Sequence, residues 1–278
     1  MMKNPFENPT PHIEKIQSPE NGEAAFFPER GGIITSLKLK GKEILYMEDE
    51  TLFNPDVNVK GGIPVLFPNA GPLSENSLFP KLPQHGFARN AKWQSEVVGD
   101  GFKETLRATE ASLEQYPYDF DFSLMGSFNK TGSFSLKQEV LNKESEKELP
   151  LSMGFHPYFV LPGEGDSAVK KAKIRFDFPG GELAEAQIEK WANGKPISID
   201  NPRVTDPNCD MTITIPDLGR LTINASPEYQ KIWIWSLPDK DFVCIEPVMR
   251  NKDGLVNDPL LVKPGETFSA VIEFSLED

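Results

Sequence analysis

Prolines set the first limit on what this chain can fold into. Between Asn54 and Pro83 they recur at Pro55, Pro64, Pro68, Pro72, Pro80 and Pro83, interleaved with Gly61-Gly62 and Gly71. Each proline fixes φ and removes a backbone donor, so neither a helix nor a central strand can run through most of this stretch. A segment this long must lie as an ordered loop over a core, and such loops often carry function. Turn-formers are also spread over the rest of the chain: 25 Pro and 21 Gly in 278 residues favour many short elements over a few long helices.

The apolar pattern supplies those elements. Ile33–Leu39, the turn Lys40-Gly41-Lys42 and Ile44–Tyr46 read as a hairpin. From Trp93 onward the period is two. Tyr116, Tyr118, Phe120, Phe122 and Leu124 alternate with Pro117, Asp119, Asp121 and Ser123, which predicts a half-buried strand with an aromatic face. Phe134, Leu136, Gln138 and Val140 continue it, and 174–178, 211–215, 221–225, 231–236, 242–245 and 268–276 read as further strands. Only Glu182–Ala192, stopped by Asn193-Gly194, reads as a helix. The pattern predicts an all-β fold, a large antiparallel β-sandwich with few short helices. Residues 1–19, polar, Pro-rich and holding His12, read as a lead-in, and 20–278 as a single β-sandwich catalytic domain.

Net charge narrows the partners. At −13 and an isoelectric point near 4.8, the chain lacks the basic footprint that nucleic acid or an anionic membrane requires. A small anion held by one or two local cations stays open. The two cysteines, Cys209 and Cys244, have no metal-binding spacing and are too few for a disulfide scaffold, so they read as reduced thiols of a cytoplasmic protein. The N-terminal sequence shows no apolar core of a secretory signal, and no apolar run approaches the roughly 20 residues of a membrane span.

Four places could carry chemistry. His85 and Arg89 share the turn Leu82-Pro83-Gln84-His85-Gly86-Phe87-Ala88-Arg89. His156 stands among Phe155, Pro157, Tyr158 and Phe159. Glu246 follows Phe242 and Cys244 on one face of a strand that Pro247 is expected to end. Lys60 precedes Gly61-Gly62-Ile63-Pro64. Singly, each has an ordinary structural reading: a solvated strand-end glutamate, a histidine packed among aromatics, a turn. Together, two histidines, a carboxylate and an arginine on loops or strand ends make an acid–base set able to move protons near neutrality.

In this order, Gly61-Gly62-Ile63-Pro64-Val65-Leu66-Phe67-Pro68, His85-Gly86-Phe87-Ala88-Arg89, His156-Pro157-Tyr158-Phe159 and Cys244-Ile245-Glu246-Pro247 resemble the aldose 1-epimerase (galactose mutarotase-like) family. The wording is closest to its hexose-6-phosphate epimerase-like branch, and the resemblance runs from about Phe26 to Phe274. It implies a large β-sandwich with the site on a concave face. It implies interconversion of the α and β anomers of a sugar or sugar phosphate, with no cofactor and no metal. By motif it implies Glu246 as general base, His156 as general acid, and His85 and Arg89 as substrate ligands. On this reading Glu246 starts ionised and His156 starts protonated. The expected partner is a small-molecule sugar or sugar phosphate, and the expected state is a monomer or weak dimer.

The chain departs from the family pattern in places. Lys60 stands where the phosphate-favouring branch has arginine, so a positive charge is kept without the bidentate fork. The family's mid-chain aspartate, a substrate ligand, maps to Asp206, with Asp200 as the alternative. The choice of sugar would be set by the loops around Lys60, Pro72–Phe79 and Met249–Asn257. An idle carbohydrate-binding or regulatory protein on the same sandwich is the competing reading. A glycoside hydrolase or lyase would need a second central carboxylate, and the motifs supply only Glu246.

Overall fold

The computed structural model describes residues 13–74 and 78–277. His12 lies outside the described residues. The chain folds mostly into antiparallel sheets. Eight strands form the largest, in the order Arg175–Asp177, Thr212–Ile215, Gly219–Ala225, Thr267–Glu277, Phe134–Asn142, Phe120–Phe128, Gly101–Arg107 and Gln94–Val98. A second sheet runs Ile197–Asp200, Lys231–Trp235, Phe242–Val248, Gly154–Phe155 and Val65–Leu66, with Tyr158–Val160 also paired to Phe242–Val248. A four-stranded meander, Glu14–Ser18 to Lys42–Glu43, and the pair Leu149–Leu151 with Leu260–Val262 complete it.

Alternation explains how the second sheet serves both the core and a site. Successive side chains on a strand point to opposite faces. Phe159 turns inward, its ring 6.0 Å from that of Phe274 on the large sheet, while its neighbour Tyr158 turns outward. Val243 and Ile245 join the main core, whereas Phe242 and Cys244 pack on the other face with Tyr158, Tyr46, Trp235 and Leu237. Both faces of Phe242–Val248 are therefore buried.

Several expectations needed revision. Pro247 does not end its strand: Phe242–Val248 continues past it, and Pro247 pairs with Ile232. On the other side the ladder joins Cys244 to Tyr158 and Val248 to Gly154, with no pairs between. That gap accommodates a residue without an N–H. The expected lead-in contains a strand, Glu14–Ser18, so the sandwich begins before residue 20. Tyr116 and Tyr118 precede the strand Phe120–Phe128, because the turn of Glu110–Leu113 carries on to Tyr116, whose N–H donates to the Ser112 carbonyl at 2.8 Å. The helix expected over 182–192 is two, Gly181–Ala186 and Ile188–Trp191, broken at Gln187.

Four further short α-helices stand among the described residues, none longer than six. Such lengths hold less than two turns and leave no apolar period to read. No helix among the described residues is long and apolar enough to cross a membrane.

Candidate active site

The proline-rich loop and the second sheet together enclose a cavity of about 690 Å³. Glu246 and His156 sit at its floor, 2% and 7% exposed, with His156 Nε2 3.4 Å from Glu246 Oε1. Strand register brings them together. Glu246 pairs with Trp233 on one side, and on the other it stands in the gap between the Cys244–Tyr158 and Val248–Gly154 pairs. His156 occupies the matching place between Gly154 and Tyr158, its N–H donating to the Pro64 carbonyl at 3.0 Å. The ring is held by Tyr158, stacked on it at 4.8 Å and 12°, and by the edge of Trp235 at 5.9 Å.

His85 closes the other wall, its ring 5.3 Å from that of His156. Its Nδ1 accepts the Gly71 N–H at 3.0 Å, and its own N–H donates to the Gly71 carbonyl at 3.1 Å. An Nδ1 that accepts leaves the proton of the neutral ring on Nε2, 3.1 Å from the Gln84 side-chain amide, which must then turn its oxygen toward the ring to accept it. This placement depends on the turn. His85 and Gly86 both have positive φ, and a Cβ on Gly86 would lie 1.9 Å from the Phe67 carbonyl oxygen. Only glycine lets the two loop segments approach so closely.

Arg89 follows on the turn Ala88–Asn90, buried, donating to the Val59 carbonyl at 3.2 Å. Lys60 and Lys252 stand exposed on the rim. Among the described residues Glu246 is the only carboxylate in the lining, against Lys60, Arg89 and Lys252. A chain of net charge −13 therefore presents a positive pocket.

Burial governs the proton balance. Desolvation pushes His85 down to about 3, helped by Arg89, so it is neutral. Desolvation also holds His156 well below the usual imidazole range, reinforced by His85 and Arg89. Desolvation lifts Glu246 well above the usual carboxylate range, with Arg89 opposing. Both shifts favour the neutral form of each group, against the resting charges expected from the sequence. Among the described residues, His156 Nδ1 and Glu246 Oε2 find no hydrogen-bond partner.

The structure thus gathers Glu246, His156, His85, Arg89 and Lys60 around one cavity, but neither aspartate. Asp206 lies in the turn after Pro202–Val204, where it accepts the Asn208 N–H at 3.0 Å. Asp200 shares a strand with the cavity residue Ser198 but is exposed and paired to Lys231. The polar contribution from that region comes instead from Ser198, whose hydroxyl donates to Asn251 Oδ1 at 2.7 Å. Trp233, which also reaches Asn251 at 3.3 Å, is a wall residue the sequence reading passed over. The alternation Lys231-Ile232-Trp233-Ile234-Trp235 was its signal, since Trp233 shares the face of Trp235.

The aldose 1-epimerase family model matches residues 15–275. A protein of Cenchrus ciliaris named "Putative glucose-6-phosphate 1-epimerase" is 26% identical over 274 residues, covering 88% of this chain and 79% of its own. A protein of the same name from Escherichia coli K12 is 26% identical over 80% of this chain and 78% of its own. Among solved structures, the Slr1438 protein of Synechocystis superposes with a TM-score of 0.83 at 25% identity, covering 100% of this chain and 99% of that one. The galactose mutarotase related enzyme of Lactobacillus acidophilus shares the fold, with a TM-score of 0.73 at 20% identity over 96% and 98% of the two chains. The family model spans nearly the whole chain and all four motifs, and this chain belongs to the aldose 1-epimerase family.

Proposed function

We propose that this protein is an aldose 1-epimerase, an isomerase that interconverts the α and β anomers of an aldohexose or a hexose 6-phosphate. One observation carries this reading. The carboxyl of Glu246 and the imidazole of His156 lie 3.4 Å apart at the floor of a sugar-sized cavity.

Ring opening needs only that inventory. The base takes the proton of the anomeric hydroxyl as the acid protonates the ring oxygen, and the C1–O5 bond breaks. The aldehyde then turns about C1–C2, and the steps reverse on its other face. Both groups regain their starting states, so nothing but the sugar changes. In the acting form Glu246 is the carboxylate and His156 carries the proton. The guanidinium of Arg89 favours the carboxylate by lowering Glu246 and opposes the proton on His156. His85, with its proton on Nε2, donates to a sugar oxygen, and the faces of Trp233 and Trp235 wall the ring. A glycosidase would require a second carboxylate facing the first, and among the described residues the lining holds only Glu246.

A hexose 6-phosphate is the favoured substrate. Among the described residues three cations line the cavity against one carboxyl, and sequence relatives carry the name "Putative glucose-6-phosphate 1-epimerase". The protein works as a monomer or weak dimer, in a reducing cytoplasm that suits its two free thiols.

Polarimetry on freshly dissolved α-glucose, α-galactose and glucose 6-phosphate tests this reading. Acceleration is expected with wild type, greatest for the phosphate, and lost in Glu246→Gln. Near-wild-type rates in Glu246→Gln would remove Glu246 from the mechanism, and no acceleration with any sugar would favour an idle binding protein.

A further inference from the structure

One side chain buried beside Glu246, behind the cavity lining, has no part in the proton chemistry. Cys244 lies two residues before Glu246, on the same face of Phe242–Val248, fully buried and a free thiol. One ligand atom from each of Cys244, His156 and Glu246 lies within 4.8 Å of the others. These are the sulfur, nitrogen and oxygen donors that a borderline-soft divalent ion selects, and hard Mg²⁺ or Ca²⁺ avoids. Among the described residues, His156 Nδ1 and Glu246 Oε2, both buried, are without a hydrogen-bond partner.

We propose that Cys244, His156 and Glu246 form a zinc-binding site, with a fourth position open to the cavity, and that zinc bound there inhibits the enzyme. The ion is an inhibitor rather than a cofactor, because it occupies the two groups the reaction needs free. The inhibition rests on the acid–base reading above; the binding does not.

Geometry and charge both suit it. Tetrahedral zinc, with bonds of roughly 2.0–2.3 Å, sets its ligand atoms about 3.5 Å apart, so side-chain rotation has to close about 1 Å. A thiolate and a carboxylate cancel the charge of Zn²⁺, leaving a neutral complex in a buried place and sparing Arg89 an uncompensated dication. The proton count follows. The Cys244 thiol gives up one proton, and the Glu246–His156 pair gives up the one it holds. Two protons leave for each ion bound, and nothing is oxidised or reduced. Entry is through the cavity, onto whose floor Glu246 and His156 open.

The test is calorimetric titration of the chelator-treated protein with zinc chloride, in two buffers of different ionisation enthalpy to count protons. Cobalt(II) serves as an optical probe, since a thiolate ligand gives it a charge-transfer band. One zinc per chain is expected, with two protons released and a thiolate–cobalt band. Cys244→Ser and Cys244→Ala should both weaken binding at least tenfold and abolish the band, while Cys209→Ser should leave both unchanged. In an anomer-exchange assay, wild type should lose activity in step with zinc occupancy and recover it with chelator. Cys244→Ser should keep the zinc-free rate at zinc concentrations that silence wild type.

Absence of stoichiometric binding would overturn the proposal, as would wild-type affinity in both Cys244 variants. Zinc-free protein that anomerises sugars but binds no zinc would sink this site alone. Protein that binds zinc through Cys244 but anomerises nothing would instead sink the proposed function.

Discussion

Two glutamates are buried among the described residues, and they do different things. Glu104 lies on the strand Gly101–Arg107 of the large sheet, fully buried, with neither carboxyl oxygen bonded to any described group. Glu246 lies on the cavity sheet, almost as buried. Desolvation raises both well above the ordinary carboxylate range. They differ in their surroundings. Beside Glu104 the charge that matters is Glu14, which raises it further, and the active-site cavity does not reach it. Beside Glu246 stand His156, to exchange a proton with, and Arg89, to favour the anion. A raised carboxyl is thus only the record of burial. An exchange partner and an opening for substrate turn burial into chemistry.

The largest effect that could break this contrast concerns rate. Glu246→Gln and His156→Asn should each lower kcat by roughly 10²–10⁴-fold. The double variant should be little worse than either single one, because the pair works as a unit. Steady-state polarimetry of all three checks it, and additive losses would mean two independent groups.

Next in size is pH. The pair holds one proton between the depressed value of His156 and the raised value of Glu246. Activity should fall as acid adds a second proton to His156 and as base removes the last from Glu246. The profile of kcat/KM should therefore stay level through the ordinary titration range of a free imidazole, about pH 6.5. A steep fall inside that window would contradict the assignment of these shifts to function.

A smaller effect belongs to the rim. Lys60→Ala and Lys252→Ala should each raise KM for glucose 6-phosphate about 3–10-fold, leaving kcat and the unphosphorylated sugars little changed. Equal losses for both classes of sugar would show that these lysines do not face a phosphate.

The smallest effect falls on Glu104. Its folded value is raised, so any stability it provides is present at low pH and is lost as pH rises through that value. Glu104→Gln removes the ionisation and should gain about 1–2 kcal/mol at pH 8, the gain vanishing toward pH 4. Activity should not change. Chemical denaturation at both pH values reads the first effect, and a loss of activity would mean the two glutamates are coupled.

Much of this could be read from the sequence, unevenly. The period-two runs and scattered turn residues gave the sandwich, because strand alternation survives in sequence wherever one face is buried. The proline-rich loop held as expected, with only Val65–Leu66 extended enough to join the sheet. Short motifs rich in glycine, proline and aromatics marked His85, Arg89, His156 and Glu246. Proline misled at residue 247, since the sequence does not show that the neighbouring ladder is interrupted there. Asp206 failed for the converse reason: it has no motif around it, and only three-dimensional placement could separate it from the other acids. The resting proton distribution was illegible too. It follows from how deeply the pair is buried, which depends on loops far away in the chain.

The most direct test of the central claim is two-dimensional exchange NMR on glucose 6-phosphate in D₂O with wild-type protein. Exchange between the α and β anomeric protons is expected to rise in proportion to protein concentration, while C1 and C2 keep their protons. That is the outcome of a pair that moves protons only between oxygens. Unaccelerated exchange, or deuterium appearing at C2, would contradict it.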